Sequence, residues 1–266
     1  MNPALEERLR QVSARITKTT TGRFGNELGI WYGCGFPKSG TVWLCGLMGS
    51  YLYAPFPQNY LMPVLMRSVV HSHWAYDPKR ARCIYIVRDG RDVMVSYYFH
   101  WLTQLKKGRS PAYAKDRHTK LLAKLPTGTD IEDTKAVLPY FMELEFEDPR
   151  GVRTNWNDHV TQWLGAGERD NVATVRYEGL LADGPTELAP ALEKFDGPVD
   201  MERLKLVFEL LKFERRKEQD TFFRKGVAGD WRNHFTEHSV DVFKATAQRG
   251  LEAAGYEQDS SWGVNQ

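Results

Sequence analysis

A glycine-bounded loop between two apolar runs constrains the fold of this chain more than any other feature. The loop, residues 35–40, follows the strand-like run 28–34 and precedes the helix-like run 41–53. In such a turn the backbone N–H groups point into one concavity, and the dipole of the following helix adds partial positive charge. Because the turn also carries Lys38 and Ser39, and Thr41 directly follows it with a second hydroxyl, the segment predicts a bound phosphate or sulfate. An ordinary strand–turn–helix corner is the alternative.

The position of the lysine separates this loop from the ATP-binding P-loop, which reads G-x-x-x-x-G-K-[ST]. Gly35 and Gly40 have that spacing, but Thr41 stands at the lysine position and the lysine comes earlier, at Lys38. The order favours a phosphate-binding loop of another kind. A nucleotide or small-molecule kinase on a P-loop-like scaffold is one alternative function, and a non-catalytic nucleotide-binding protein is another.

A second segment carries an arginine at the expected end of a buried strand. Residues 82–87 are β-branched and aromatic, and Arg88 follows them at the carboxyl end, where open α/β sheets bind ligands. Ser96 belongs to the helix predicted over 93–101, eight residues after Arg88. The alternative is that Arg88 and Asp92 form a surface ion pair, which contributes little.

A third segment, near the C-terminal end, places two adjacent cations before a glycine. Arg224 and Lys225 precede Gly226, and Gly229 follows. Glycine permits close approach of the backbone, and arginine offers a planar fork that suits phosphate oxygens. A solvated basic loop is the alternative.

Together the three segments resemble the sulfotransferases that use 3′-phosphoadenosine 5′-phosphosulfate (PAPS), in the soluble branch of cytosolic type. The similar stretches are 37–41, 88–98 and 224–231, and they stand in the family's order. The resemblance implies PAPS as co-substrate, no metal, and transfer of a sulfuryl group to a hydroxyl of a small molecule. It assigns the following residues to PAPS: Lys38, Ser39, Gly40, Thr41, Val42, Trp43, Arg88, Ser96, Tyr177, Phe213, Arg224, Lys225 and Gly226.

Three aromatic residues in that set fit the family less specifically. Trp43 resembles the family's tryptophan on the adenine side, and Phe213, after the helix-like run 201–211, resembles the phenylalanine that stacks on adenine. Tyr177 ends the strand-like run 171–177, where the family has a tyrosine that contacts the nucleotide. For Tyr177 and Phe213, a place in the core or at a helix cap is the alternative.

The same resemblance implies the catalytic residues. His73 stands at the end of the strand-like run 66–73, and the family's catalytic histidine comes just after such a strand. An ordinary histidine is neutral near pH 7 and can act as a base. Lys38 would stabilise charge on the leaving oxygen. Two positions depart from the family: His71 stands where many relatives have lysine, and Val42 where the commoner sequence has threonine. A dimer motif of many animal members is absent, so the oligomeric state is not predicted.

The alternation of strand-like and helix-like runs predicts an α/β fold in one domain, residues 1–266. A central parallel sheet would have helices on both faces and a P-loop-like phosphosulfate-binding loop. Residues 1–25 form a helical lead that ends in a threonine-rich turn. Residues 104–130 are expected to be a mobile loop near the acceptor site.

The composition of the chain bears on the partners it can bind and on its cellular compartment. The net charge of +2 gives no reason to expect nucleic acid. Three cysteines without short spacing predict buried, reduced thiols. The charged first residues lack a signal-peptide core, and the longest apolar stretch, 42–56, is too short to span a bilayer, so a cytoplasmic location is expected.

The acceptor is predicted only by class, as an apolar or aromatic alcohol or a sugar hydroxyl. Aromatic residues would line an apolar pocket for it, with the protein core as the alternative place for half of them or more. The candidates are Tyr51, Tyr53, Phe56, Tyr60, Phe99, Trp101, Phe141 and Phe146.

Overall fold

The structure of this chain is a computed structural model. It describes residues 3–58, 61–106, 112–149, 154–165, 169–211 and 227–264. The chain forms two compact units, the first from Met1–Val87 with Ala166–Asp220, the second from Arg88–Gly165 with Thr221–Gln266. The single-domain organisation predicted from the length stays a prediction.

Helices and strands alternate along the described residues, as the sequence predicts. In chain order they are α1 (Pro3–Phe24), β1 (Ile30–Gly35), α2 (Thr41–Tyr51), β2 (Ser68–Ser72), β3 (Cys83–Val87), α3 (Gly90–Lys106), α4 (Ala112–Lys124), α5 (Thr134–Glu147), α6 (Trp156–Leu164), β4 (Val172–Arg176), α7 (Tyr177–Asp196), α8 (Met201–Leu210) and, after a 3-10 turn at Asp230–Asn233, α9 (Glu237–Ala253).

The first unit contains a parallel sheet in the strand order β2-β1-β3-β4. Gly33 of β1 pairs with His71 of β2 on one side and with Ile84 of β3 on the other. The order therefore reverses at β1, and ligands of open α/β sheets bind at the carboxyl ends of the strands beside such a switch point. The loop after β1 occupies that position.

Helices cover both faces of this sheet. Alternate strand residues, such as Trp31 and Val69, join α2, α7 and α8 in one buried apolar cluster. On the other face, the hydroxyl of Tyr32 forms a hydrogen bond with Thr21 of α1. Every residue of β1 and β3 is buried, because strands covered on both faces have no solvent side. The predicted fold class, α/β with a central parallel sheet and helices on both faces, is confirmed.

The second unit is helical and has an aromatic core. Helix α9 packs against α5 and α6, and α3 packs against α4 and α5. The Trp156 ring fits between two glycines, since an added Cβ at Gly90 or Gly250 would lie 2.6 Å from it. Trp231 packs edge-on against Trp262, with ring centroids 5.7 Å apart.

Three local predictions are corrected. The segment 104–130 is not a loop throughout, because it contains the end of α3 and all of α4. Arg117 of α4 is buried and donates hydrogen bonds to carbonyl oxygens at the end of α5, which fixes this helix in place. Tyr177 begins α7, since β4 ends at Arg176, and the threonine-rich segment 19–21 belongs to α1. The mobility of 104–130 and its place near the acceptor stay predictions.

Two further observations concern the cysteines and the helices. Cys34, Cys45 and Cys83 are buried and unbridged, as predicted. Burial raises the pKa of the Cys45 and Cys83 thiols well above the usual value, so both stay protonated at neutral pH. None of the described helices is long and apolar enough to cross a membrane.

Candidate active site

The loop between β1 and α2 has an unusual backbone. Gly40 caps α2 with φ of 91° and ψ of 16°, and Lys38 has φ of 71°. A positive φ is uncommon outside glycine, and residues held in it cluster at functional sites. Thr41, Val42 and Trp43 open α2, and the first N–H groups of a helix have no acceptor within that helix. The loop therefore presents several backbone donors beside a lysine.

Gly40 is required by its surroundings as well as by its φ. A Cβ added there would lie 2.7 Å from the Tyr177 ring and 3.5 Å from Ile86. A side chain would clash with the Tyr177 ring and push the loop away from α7. Tyr177 thus supports the loop 35–40 from the start of α7.

Replacing Gly40 with alanine should destabilise the protein by about 1–3 kcal/mol, because backbone strain and a clash act together. Gly128→Ala is the matched control, since φ is 84° at Gly128 and no described atom lies within 4 Å of the added Cβ. Chemical denaturation of both variants measures the difference. Equal losses of unfolding free energy in the two variants would show that the clash with Tyr177 adds nothing to the destabilisation.

The Thr41 side chain is a buried polar group that the described part of the chain leaves unsatisfied. Its hydroxyl has no hydrogen-bond partner there, although the residue is only 3% exposed. Buried polar groups in native proteins are nearly always hydrogen-bonded, so such a hydroxyl calls for a partner beyond the described residues. Its place in the first turn of α2 suits an anion.

His73 directly follows β2, and its ring is held against the end of β1. Nδ1 lies 2.6 Å from the carbonyl oxygen of Gly35. A carbonyl oxygen only accepts, so Nδ1 carries the proton and Nε2 is the basic nitrogen of the neutral ring. Burial lowers the pKa of His73, the bond to Gly35 opposes this, and the charge of Lys38 lowers the pKa further. Near pH 7, His73 is therefore a neutral imidazole within electrostatic reach of Lys38.

His71 packs edge-on against His73, with ring centroids 4.5 Å apart and planes at 84°. Burial, and then His73, lower the pKa of His71 to about 3. His71 is thus uncharged at neutral pH and does not replace the positive charge that many relatives carry here as lysine. Its Nε2 is buried and has no hydrogen-bond partner within the described ranges.

The two aromatic candidates of the first unit lie in its core. Trp43 packs edge-on against Tyr177 and Phe208, with ring centroids 6.1 and 6.2 Å away. Both Trp43 and Tyr177 are buried. The contact of Trp43 with adenine and the contact of Tyr177 with the nucleotide stay predictions, and the packing shows that both residues brace the start of α2.

In the second unit, Arg88 is buried and lies beside the C-terminal signature. Its Nη2 donates to the carbonyl oxygen of Val227 at 3.3 Å and lies 4.0 Å from Oδ2 of Asp92. Asp92 is 1% exposed, so the pair is not on the surface. Its carboxylate accepts hydrogen bonds from the N–H groups of Gly229 at 2.7 Å and Trp231 at 2.8 Å.

Asp92 is a positioning residue that the sequence reasoning missed. Burial raises the pKa of Asp92, while Arg88 and the two backbone N–H groups oppose that rise. The only sequence signal was its spacing of four residues from Arg88, which suggested an ion pair. Hydrogen bonds to backbone N–H groups leave no trace in residue types, so the pattern did not indicate them.

Five further predicted residues belong to α3 or fall outside the described residues. Ser96 lies one turn beyond Asp92 on α3, and residues four apart share a face of a helix. Phe213, Arg224, Lys225 and Gly226 lie outside the described residues.

Within the described ranges, no group of three or more His, Cys, Asp and Glu side chains has the arrangement of a metal site.

Half of the aromatic residues proposed for the acceptor pocket belong to the core. The buried ones are Tyr51, Trp101, Phe141 and Phe146. Phe56 and Phe99 are half-buried, Tyr53 is exposed, and Tyr60 lies outside the described residues. The core alternative is therefore right for half of them.

Solved structures of two other proteins share the fold of this chain. Mouse sulfotransferase SULT7A1 in complex with PAP gives a TM-score of 0.63 at 20% sequence identity, covering 92% of this chain and 94% of that one. Retinol dehydratase in complex with retinol and PAP gives a TM-score of 0.56 at 16% identity, covering 95% of both chains. At these identities the likeness establishes the fold alone.

Curated proteins with similar sequences are named as sulfotransferases. Sulfotransferase 2A6 of Rattus norvegicus is 27% identical over 191 residues, which are 65% of this chain and 57% of the relative. The 3-alpha-hydroxysteroid sulfotransferase of Cavia porcellus is 26% identical over 193 residues, 66% of this chain and 58% of the relative. The chain thus spans less than two thirds of the length of these relatives.

The sequence pattern of the sulfotransferase domain matches residues 59–255, roughly three quarters of the chain. The match includes His73, Arg88 and Tyr177 and begins after the phosphate loop. The strand, loop and helix that the structure places at 30–51 supply the missing part of the same fold. This chain therefore belongs to the sulfotransferase domain family.

Proposed function

We propose that this chain is an enzyme that transfers the sulfuryl group of PAPS to a hydroxyl of a small molecule. The observation that carries the proposal is the pairing of the Lys38 loop with His73 at the carboxyl ends of β1 and β2. Family membership supports it, as does PAP, 3′-phosphoadenosine 5′-phosphate, in two solved structures of this fold.

In this proposal the start of α2 binds the 5′-phosphosulfate group. Backbone N–H groups at a helix start and the helix dipole both favour an anion. The buried hydroxyl of Thr41, unsatisfied within the described part of the chain, has the chemistry to donate to one of the anion's oxygens. The residues assigned to this group are Lys38, Ser39, Gly40, Thr41, Val42 and Trp43.

The 3′-phosphate is assigned to cations and donors of the second and third segments. Arg88 supplies a guanidinium, whose planar fork suits phosphate oxygens, and Ser96 supplies a hydroxyl. The Arg88 bond to Val227 ties the arginine to the chain that directly follows residues 224–226. Arg224, Lys225 and Gly226 complete the phosphate set. Trp43 and Phe213 are assigned to the adenine, and Tyr177 is assigned to the nucleotide.

The chemistry requires a base and a counter-charge. Nε2 of His73 takes the proton of the acceptor hydroxyl as its oxygen forms a bond to sulfur. The bond between sulfur and the bridging phosphate oxygen breaks in line with this attack. Lys38 stabilises the negative charge that develops on the leaving oxygen. Catalysis then depends on positioning and charge, as in phosphoryl transfer.

The acceptor is proposed as an apolar or aromatic alcohol, with a sugar hydroxyl as the alternative. Curated relatives act on hydroxysteroids by name, and one structure of this fold contains retinol. We also propose a cytoplasmic location for the protein, because its three buried, unbridged thiols suit a reducing compartment.

We expect PAP to bind much more tightly than AMP. The cations assigned to the 3′-phosphate, Arg88, Arg224 and Lys225, have no partner in a nucleotide that lacks it. Calorimetric titration with both nucleotides measures the difference, and equal affinity would refute the assignment of PAPS as donor.

A transfer assay tests the reaction itself. Radiolabelled PAPS is incubated with panels of steroid, phenol, long-chain alcohol and sugar acceptors, in the presence of EDTA. Label should move to at least one hydroxyl compound without added Mg²⁺. PAP binding without transfer to any panel would favour a non-catalytic nucleotide-binding protein, and Mg²⁺-dependent transfer from ATP would favour a kinase.

A further inference from the structure

Helix α1 buries hydroxyl side chains and leaves aliphatic ones exposed, the reverse of an ordinary surface helix. Ser13, Thr17 and Thr21 are buried. The Ser13 hydroxyl donates to the carbonyl oxygen of Leu61 at 2.5 Å, and Thr17 Oγ1 accepts from the N–H of Val64 at 2.9 Å. These hydrogen bonds hold α1 against the segment that leads to β2, and the aliphatic residues of α1 take no part in them.

The aliphatic residues form a line along the helix, here called the α1 strip: Leu5, Leu9, Val12 and Ile16. Their spacings of four, three and four residues place them on one face, and they are 38–55% exposed. The segment bound to Ser13 and Thr17 adds further exposed apolar side chains, Met62, Leu65 and Met66. A surface of this kind marks an interaction site.

Basic side chains accompany the α1 strip. Arg8, Arg15 and Arg23 are exposed and follow one another at intervals of seven and eight residues, about two helical turns each. They therefore lie along the strip. In all, α1 carries five basic and two acidic residues, whereas the whole chain has a net charge of only +2.

We propose that α1 binds an anionic membrane surface, with the α1 strip in the boundary between headgroups and acyl chains. The arginines along the strip would contact lipid phosphates. A helix with an apolar face, Arg-rich flanks and low mean hydropathy has the composition of an interfacial helix. This proposal does not depend on the proposed reaction.

Charge distinguishes this partner from a second copy of the chain. If two α1 strips paired as a coiled coil, Arg8 and Arg15 would both take positions that flank the seam. In antiparallel pairing these arginines would face the same arginines of the other copy. In parallel pairing they would face the positions five residues further along the other copy, Ser13 and Thr20, which carry no charge, and Ser13 is buried. Neither arrangement gives an ion pair, whereas an anionic surface neutralises every arginine.

Sedimentation with vesicles tests the proposal. The full chain should bind vesicles of phosphatidylcholine with phosphatidylglycerol, and bind phosphatidylcholine alone at least about tenfold more weakly, because anionic lipid attracts the arginines. Binding should fall as salt is raised. Leu9→Gln with Ile16→Gln should reduce it about tenfold or more, and Arg8→Gln with Arg15→Gln should remove the preference for phosphatidylglycerol.

The matched control is Leu206→Gln with Leu210→Gln, an exposed aliphatic pair four residues apart on α8. It should bind vesicles as the unchanged protein does. Thermal melting of each variant checks that the fold is kept. No vesicle binding, equal binding to both vesicle types, or equal loss in the α8 control would each overturn the proposal. A dimer in solution that the Leu9 and Ile16 changes dissociate would overturn it in favour of a second copy.

Discussion

Replacing His73 with alanine should lower kcat by about 10²- to 10⁴-fold, the usual contribution of a positioned general base. Nδ1 is engaged by the Gly35 carbonyl, so the ring is held in one orientation with Nε2 as the base. Alanine removes that nitrogen without touching the residues assigned to PAPS. PAP affinity, measured by calorimetry, should therefore change little.

His71→Ala is the matched control for this variant. The two rings are neighbours, but Nδ1 of His73 is bound to a carbonyl at the site and the pKa of His71 is near 3. Loss of His71 should be much milder in kcat than loss of His73. If His71→Ala is the crippling change and His73→Ala is mild, the base has been assigned to the wrong ring.

The pH profile gives an independent test of the same base. Because burial and Lys38 lower the pKa of His73, its neutral form persists below the ordinary value of 6.5. The logarithm of kcat/KM should stay level from neutral pH to below 6.5 and fall only as His73 becomes protonated. A fall that begins above 6.5 would contradict a lowered pKa.

Replacing Lys38 with methionine should lower kcat by about 10²- to 10³-fold, as losing one electrostatic group at a developing charge does. Methionine keeps much of the aliphatic stem and removes the charge. It also keeps a Cβ at φ of 71°, so the backbone strain of the loop is unchanged. PAP binding should fall much less, since the backbone donors and the 3′-phosphate cations remain.

Two further variants make the Lys38 result specific. Lys79→Met removes an exposed lysine elsewhere in the first unit and should leave kcat near normal. Lys38→Arg keeps the charge and should retain more activity than methionine does. Near-normal turnover of Lys38→Met would remove Lys38 from the mechanism and leave the loop as a binding element only.

The sequence predicted those parts of the site that depend on local pattern. The apolar runs on either side of residues 35–40 indicated a strand and a helix, and β1 and α2 are there. Arg88 was expected at the carboxyl end of a buried strand, and β3 ends one residue before it. Each of these depends on residue types that are close together in the chain.

The features that the sequence did not predict depend on contacts between distant residues. Lys38 has a left-handed backbone, which lysine rarely adopts, so the residue type gave no reason to predict that conformation. The Gly35 carbonyl that orients His73 lies 38 residues away in the chain. Helix α4 was mistaken for part of a loop because its burial depends on Arg117, whose carbonyl partners belong to the end of α5.

The hydrogen bonds of Asp92 have a consequence for the order in which the protein matures. Their donors, Gly229 and Trp231, follow Asp92 by 137 and 139 residues. On the ribosome, β1, α2 and β2 are synthesised long before those donors exist. Until then the Asp92 carboxylate lacks both backbone partners, and burying it would cost free energy. The setting of Arg88 can therefore be completed only near the end of synthesis, so a nascent or truncated chain would carry the loop 35–40 before the site proposed for the 3′-phosphate is complete.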